Sequence, residues 1–200
     1  MFLPPRDDDQ EWFGVLVAIP EPWVSALTQA RIDLGDELGA RVPAHITLMP
    51  PVAVPKEART EVIRHLRDVA QRHAPFRISL KGSGTFLPIS PVAFVNVDEG
   101  AAACANLAED IRSGPLDHPA RFPYHPHVTL AQGVSEDVIA RALHLARGFE
   151  ASWLVPGFRL DQVDERGTYH SQALFDFEAS TTGMDAPTKR TRSRKSHDNK

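Results

Sequence analysis

Apolar and polar positions along this chain fall into short stretches whose period switches between strand and helix. Residues 12–19 (WFGVLVAI) form a short, almost wholly apolar run, which predicts a buried strand. From residue 22 to about 34 the spacing is helical, with Pro22 at an early position, where its missing N–H does no harm. A strand beginning at His45 follows. Between residues 56 and 72, Val62, Leu66, Val69 and Ala70 fall on one face of a long amphipathic helix. Residues 76–80 alternate as a strand, and Lys81-Gly82-Ser83-Gly84-Thr85 reads as a turn between strands. That glycine run lacks the spacing of a phosphate-binding P-loop.

The second half repeats the order. Residues 92–97 (VAFVNV) predict a strand, and residues 101–112 a helix ended by Ser113-Gly114-Pro115. A strand at His127 follows, then a helix over 136–147 with Ser135 as N-cap. Strands near 158–163 and 172–177 close the pattern, with Gly167-Thr168-Tyr169 suited to a hairpin turn before the last. His45 and His127 are 82 residues apart, and Pro22 and Ala102, early in the matching helices, are 80 apart. The approximate repeats, 11–82 and 91–178, predict an α+β fold. It is a bilobal duplication about a pseudo-twofold axis, with an antiparallel sheet covered by helices in each lobe. Residues 1–180 are expected to form one domain.

Composition and charge narrow the function. The net charge is −4, but the segment from Gly183 to Lys200 carries +4, so the rest carries −8. The basic tail, 181–200, has no apolar periodicity and reads as disordered. An acidic body argues against a broad surface for long nucleic acid and leaves a small nucleotide or an RNA end. The lone cysteine, Cys104, excludes an intrachain disulfide and sits in a helical pattern as a small core residue. Trp12, Trp23 and Trp153 read as core or lobe-interface residues. No apolar run is long enough to span a bilayer, and the acidic start lacks the features of a signal peptide, so the chain is read as cytoplasmic, with no membrane partner.

The candidate chemistry lies in a tetrad that occurs twice, His45-Ile46-Thr47-Leu48 and His127-Val128-Thr129-Leu130. In a strand, residues i and i+2 share a face, so each copy sets an imidazole beside a hydroxyl. Two such pairs brought opposite each other supply a general base, a general acid and two hydroxyls for non-bridging phosphate oxygens. Histidine titrates near neutrality, so the two proton-transfer roles need no metal or cofactor. Arg121, Phe122, Tyr124 and His125 precede the second tetrad and are candidate substrate-binding residues: arginine for phosphate, an aromatic ring for a base. His125-x-His127 also suggests a metal pair, but no further ligands stand nearby.

These two tetrads resemble the paired H-x-[ST]-apolar motifs of the two-histidine phosphoesterases. In particular, the chain resembles their bacterial 2′-5′ RNA ligase-like branch, the RNA 2′,3′-cyclic phosphodiesterases. The resemblance covers roughly residues 11–178 and implies two similar lobes with the active site in the cleft between them. It also implies metal-free opening of a cyclic phosphodiester, with His45, Thr47, His127 and Thr129 as the catalytic residues. The expected substrate is a 2′,3′-cyclic phosphate at an RNA end or on a nucleotide, attacked by water, with the protein acting as a monomer. The alternatives are cleavage or ligation of 2′-5′ linkages and a non-catalytic module that binds RNA ends or nucleotides.

Overall fold

Of the chain's 200 residues, the computed structural model describes 3–118 and 122–178. The strands are β1 (Gln10–Ala18), β2 (His45–Pro55), β3 (Phe76–Thr85), β4 (Val92–Val97), β5 (His127–Gln132), β6 (Glu150–Val155), β7 (Gly157–Val163) and β8 (Tyr169–Asp176). The helices are α1 (Trp23–Asp33), α2 (Arg59–Gln71), α3 (Ala101–Ile111) and α4 (Glu136–Arg147). Every expected helix and strand is present. Gly167, at φ 78°, turns the chain from β7 into β8.

Three local features differ from the sequence reading. β6 has no counterpart in it. Its residues alternate between exposed and buried, and it pairs along β3 from Phe76↔Val155 to Lys81↔Glu150. The glycine run 81–85 is not a turn but the second half of β3. Gly82, at φ 78°, lies in the register shift between Leu80 and Ser83, so the strand bends there and continues pairing with β4. Ser135 and Pro22 both occupy N-cap positions, yet neither gives a side-chain cap. At α4, Glu136 and Asp137 in the first turn and His144 and Arg147 in the last favour the helix dipole instead.

The eight strands form one antiparallel sheet in the order β6-β3-β4-β5-β2-β1-β7-β8. It divides into two four-stranded halves that meet where β2 lies against β5. These halves are not the two sequence repeats. β3, which closes the first repeat, joins β4 across a short connection, and β7 and β8 return to the outer side of β1. Each repeat therefore contributes strand to both halves of the sheet.

Helices bind the halves together on one face. α3 packs on β2 and α1 on β5, while α4 covers β3, β4 and β5. Beneath them Ile46, Leu48, Val128 and Leu130 are buried. Val62, Leu66, Val69 and Ala70 are the buried residues of α2, as the periodicity required. Burying a large apolar side chain stabilises by about 1.5–3 kcal/mol, so this layer holds the two motif strands rigidly from below. Cys104 lies in the same layer, where burial pushes its thiol up to about 12. Trp153 is buried on β6, and Trp23 and Trp12 lie half-buried against neighbouring elements. No helix among the described residues is long and apolar enough to cross a membrane.

Candidate active site

The two tetrads are the opening residues of β2 and β5, the strands that meet at the centre of the sheet. Ile46 pairs with Val128, and the strands run antiparallel. That register sets His45 opposite Thr129 and Thr47 opposite His127. Ile46 and Val128 point into the helix-covered core, so all four polar side chains stand on the other face. The imidazoles occupy one diagonal and the hydroxyls the other. Two residues along a strand and one strand spacing across put the histidine Cα atoms about 8 Å apart.

Both imidazoles are fixed in the same way. Nδ1 of His45 lies 2.9 Å from the Pro43 carbonyl oxygen, and Nδ1 of His127 lies 2.7 Å from that of His125. A carbonyl only accepts, so each Nδ1 carries the proton and each Nε2 keeps a basic lone pair. Burial lowers the pKa of both rings. For His45 it falls to about 4, with Arg31, Arg159 and His127 adding to the effect and the Pro43 carbonyl opposing it. His127 is also lowered by burial, against the pull of the His125 carbonyl. Without a bound anion both imidazoles are neutral at pH 7.

The approach to His45 is pinned by α1. Arg31 pairs with the buried Asp36 at 2.8 Å and donates from Nη1 to the Val42 carbonyl at 3.0 Å. The Ala44 N–H donates to Thr28 Oγ1 at 3.0 Å. The segment that supplies the Pro43 carbonyl is therefore anchored on both sides of that proline.

The walls of the site differ in chemistry. On the β4 side Phe94 and Phe86 pack on His127, with ring centroids at 4.9 and 5.0 Å, and Asn96 pairs in register with His127. Gly84 makes room for this wall, because a Cβ there would sit 2.6 Å from Phe94 Cζ. On the β7 side Tyr169 lies 5.4 Å from His45, over the space left by Gly14. Arg159 forks onto Asp161, whose side chain is fully buried, through Nε at 2.6 Å and Nη2 at 2.7 Å.

The candidate binding residues before the second tetrad separate. His125 alternates onto the same face as His127 and stacks at 6.1 Å from it. Tyr124 points the other way, toward the core. Its hydroxyl donates to the Thr47 carbonyl at 2.9 Å, which ties the lead-in of one motif to the strand of the other. Phe122 is largely exposed. Arg121 and the tail 181–200 lie outside the described residues. Among the described residues no group of three or more His, Cys, Asp or Glu side chains is arranged to hold a metal ion, so His125 and His127 gain no third ligand.

Sequence reasoning passed over Phe86, Phe94, Asn96, Arg159, Asp161 and Tyr169. One signal was legible: Arg159-Leu160-Asp161 sets opposite charges at i and i+2 within an apolar strand.

Residues 19–165, which contain both tetrads, match the family model of the 2′-5′ RNA ligase superfamily. The chain belongs to that superfamily. Its expected kinship with the two-histidine phosphoesterases stands. A Bacillus cytotoxicus relative, a phosphoesterase by name only, is 30% identical over 106 residues. The match spans 51% of this chain and 61% of that protein, so about three fifths of the relative's length is shared. Among solved structures, TT0787 of Thermus thermophilus superposes with a TM-score of 0.63 at 22% identity, covering 84% of this chain and 99% of that one. E. coli LigT complexed with NADP+ gives 0.61 at 17%, covering 85% and 99%, and LigT has also been solved with 3′-AMP. At these identities the superfamily's α+β, two-lobed fold is what the structures share with this chain.

Proposed function

We propose that this chain is a phosphodiesterase that opens the 2′,3′-cyclic phosphate of an RNA end or nucleotide. The observation that carries the reading is the matched state of the two imidazoles. Each donates Nδ1–H to the carbonyl two residues upstream and keeps Nε2 free, and the two stand diagonally across one strand pair. A phosphate seated over the Ile46–Val128 pair has one imidazole on either side. In-line displacement needs a base at the entering oxygen and an acid at the leaving one, which is the service a diagonal pair provides. Thr47 and Thr129, on the other diagonal, donate to the non-bridging oxygens where charge builds up. LigT's complex with 3′-AMP is in keeping with a ribose phosphate as ligand.

The roles follow from the surroundings. His45, the more strongly depressed, is the base: its Nε2 takes a proton from water as the water oxygen attacks phosphorus. His127 is the acid: its Nε2–H protonates the departing ribose oxygen, and its charged form is favoured by the bound phosphate anion. The two proton transfers and the hydroxyl donors account for the reaction without a metal, so it proceeds in chelator. Because free His45 and His127 both titrate below 6.5, kcat/KM peaks on the acid side of that value.

The test is hydrolysis of the four nucleoside 2′,3′-cyclic phosphates in EDTA, with 2′- and 3′-phosphate products resolved. The expected result is turnover to one isomer. Turnover that requires added metal contradicts the mechanism. Inertness toward all four, with cleavage of a 2′-5′-linked dinucleotide, moves the reaction to that linkage. Tight binding with no product from either marks a binding module.

A further inference from the structure

The Arg159–Asp161 pair is not used by this mechanism, and its placement calls for a use. Arg159 pairs with Leu16, and Leu16 with Thr47, so the three side chains share the face that carries the histidines. Its Cα lies two strand spacings, about 10 Å, out from Thr47. Asp161 is wholly buried, and it takes the Nε–Nη2 edge of the guanidinium in two parallel hydrogen bonds. A buried carboxylate is costly to maintain unless its partner is held in good geometry, and this fork holds the arginine in one orientation. The other edge, Nη1 with the outer hydrogen of Nη2, makes no hydrogen bond within the described residues, and the side chain is 27% exposed. That edge has the spacing to clasp two phosphate oxygens. The charge of Arg159 is also felt at His45. Across the site the β4 wall is aromatic, with Phe94 and Phe86, and a base suits it better than an anion.

We propose that Arg159, aimed by Asp161, grips a second phosphate of the substrate, the one next along from the phosphate at the histidines. This rests on the phosphodiesterase reading above. The preferred substrate is then a nucleotide or RNA end bearing a further phosphate rather than a bare cyclic nucleoside phosphate. Asp161 is a positioning residue. Asp161 pairs at Gly14, on the side of Arg159 away from His45, so the fork draws the guanidinium off the histidine pair and toward an adjacent phosphate on the same ribose.

The test compares adenosine 2′,3′-cyclic phosphate with the same compound carrying a 5′-phosphate, with kcat and KM measured separately. Wild type is expected to show a KM at least tenfold lower for the 5′-phosphorylated substrate, a preference that shrinks with salt. In the double variant Arg159→Gln/Asp161→Asn, which strands no buried charge, the ratio of the two KM values falls to about one. Taking the ratio within each variant cancels any general loss. Arg159→Lys, which keeps a charge beside Asp161, is expected to give an intermediate ratio and serves if the double variant does not fold. A wild-type ratio near one, or a wild-type ratio retained in every folded variant, overturns the proposal and leaves Arg159 as a partner for Asp161 only.

If wild type turns over neither compound, the comparison moves to binding of adenosine 3′,5′-bisphosphate against 3′-AMP by calorimetry. A tenfold preference lost in the variants sustains the role of Arg159 while the hydrolytic reading falls. Equal affinities in wild type overturn both the role and the preference.

Discussion

Gly84→Ala tests whether the aromatic wall positions His127. Gly84 has no positive φ, so alanine fits its backbone, and by chain entropy alone the substitution would stabilise by about 0.4–1 kcal/mol. The obstacle is steric. The new methyl carbon would lie 2.6 Å from Phe94 Cζ, where an ordinary contact is 3.4–4 Å, so the ring must move by roughly 1 Å. Phe94 has little room: it is 4% exposed, 4.5 Å from Phe86 and 4.9 Å from the His127 ring. Overpacking of this kind costs about 1–3 kcal/mol. Net of the entropic gain, about 0.6–2 kcal/mol is lost, which for a chain of this size is a fall in Tm of roughly 1–8 °C. The displaced ring presses on His127, so kcat falls as well. Thermal unfolding and turnover of a 2′,3′-cyclic nucleotide are measured for Gly84→Ala, Phe94→Leu and the double variant. The smaller leucine should restore most of what alanine loses. A Gly84→Ala protein as stable as wild type or more so, with unchanged kcat, refutes the argument that this contact is tight.

Tyr124→Phe removes the hydrogen bond to the Thr47 carbonyl and should cost about 1–2 kcal/mol in urea unfolding, with a lower kcat/KM; an unchanged midpoint would mean water replaces the hydroxyl. Arg31→Met leaves Asp36 buried without its partner and should destabilise by about 3–5 kcal/mol, whereas Arg31→Met/Asp36→Leu should recover much of that; calorimetry of both variants decides it. The depressed pKa of His45 makes stability fall as pH drops from 6.5 to about 4, because the unfolded chain takes up the proton first. At pH 5 this amounts to on the order of 1–2 kcal/mol, so the loss of Tm between pH 7 and pH 5 should be smaller in His45→Gln; equal losses would place the titration elsewhere.

What the sequence made legible is what depends on local period. Alternation at His45–Leu48 and His127–Leu130 is enough to put both His-x-Thr pairs on strands, and the α2 face follows from its spacing. What it hid depends on strand order. Arg159 reaches the neighbourhood of His45 only because β7 returns beside β1, a pairing that no local pattern announces. Phe94 faces His127 through the register of β4 on β5, and Gly84 matters only once β3 lies beside β4. The bulge at Gly82 turned an apparent loop into strand. Tyr124 shows the converse: its place before the tetrad suggested a ligand contact, yet its ring packs against the core and its hydroxyl bonds the Thr47 carbonyl.

The central claim is that His45 and His127 act as one acid–base unit. The most direct measurement is opening of a 2′,3′-cyclic phosphate in EDTA by wild type, His45→Ala, His127→Ala and the double variant, each checked for its fold by thermal unfolding. The account predicts that either single variant loses at least about a thousandfold in kcat and that the double loses little more, because half of a coupled pair does no proton transfer at the other oxygen. A folded single variant that keeps its rate within about tenfold of wild type, or losses that simply multiply in the double, contradicts it.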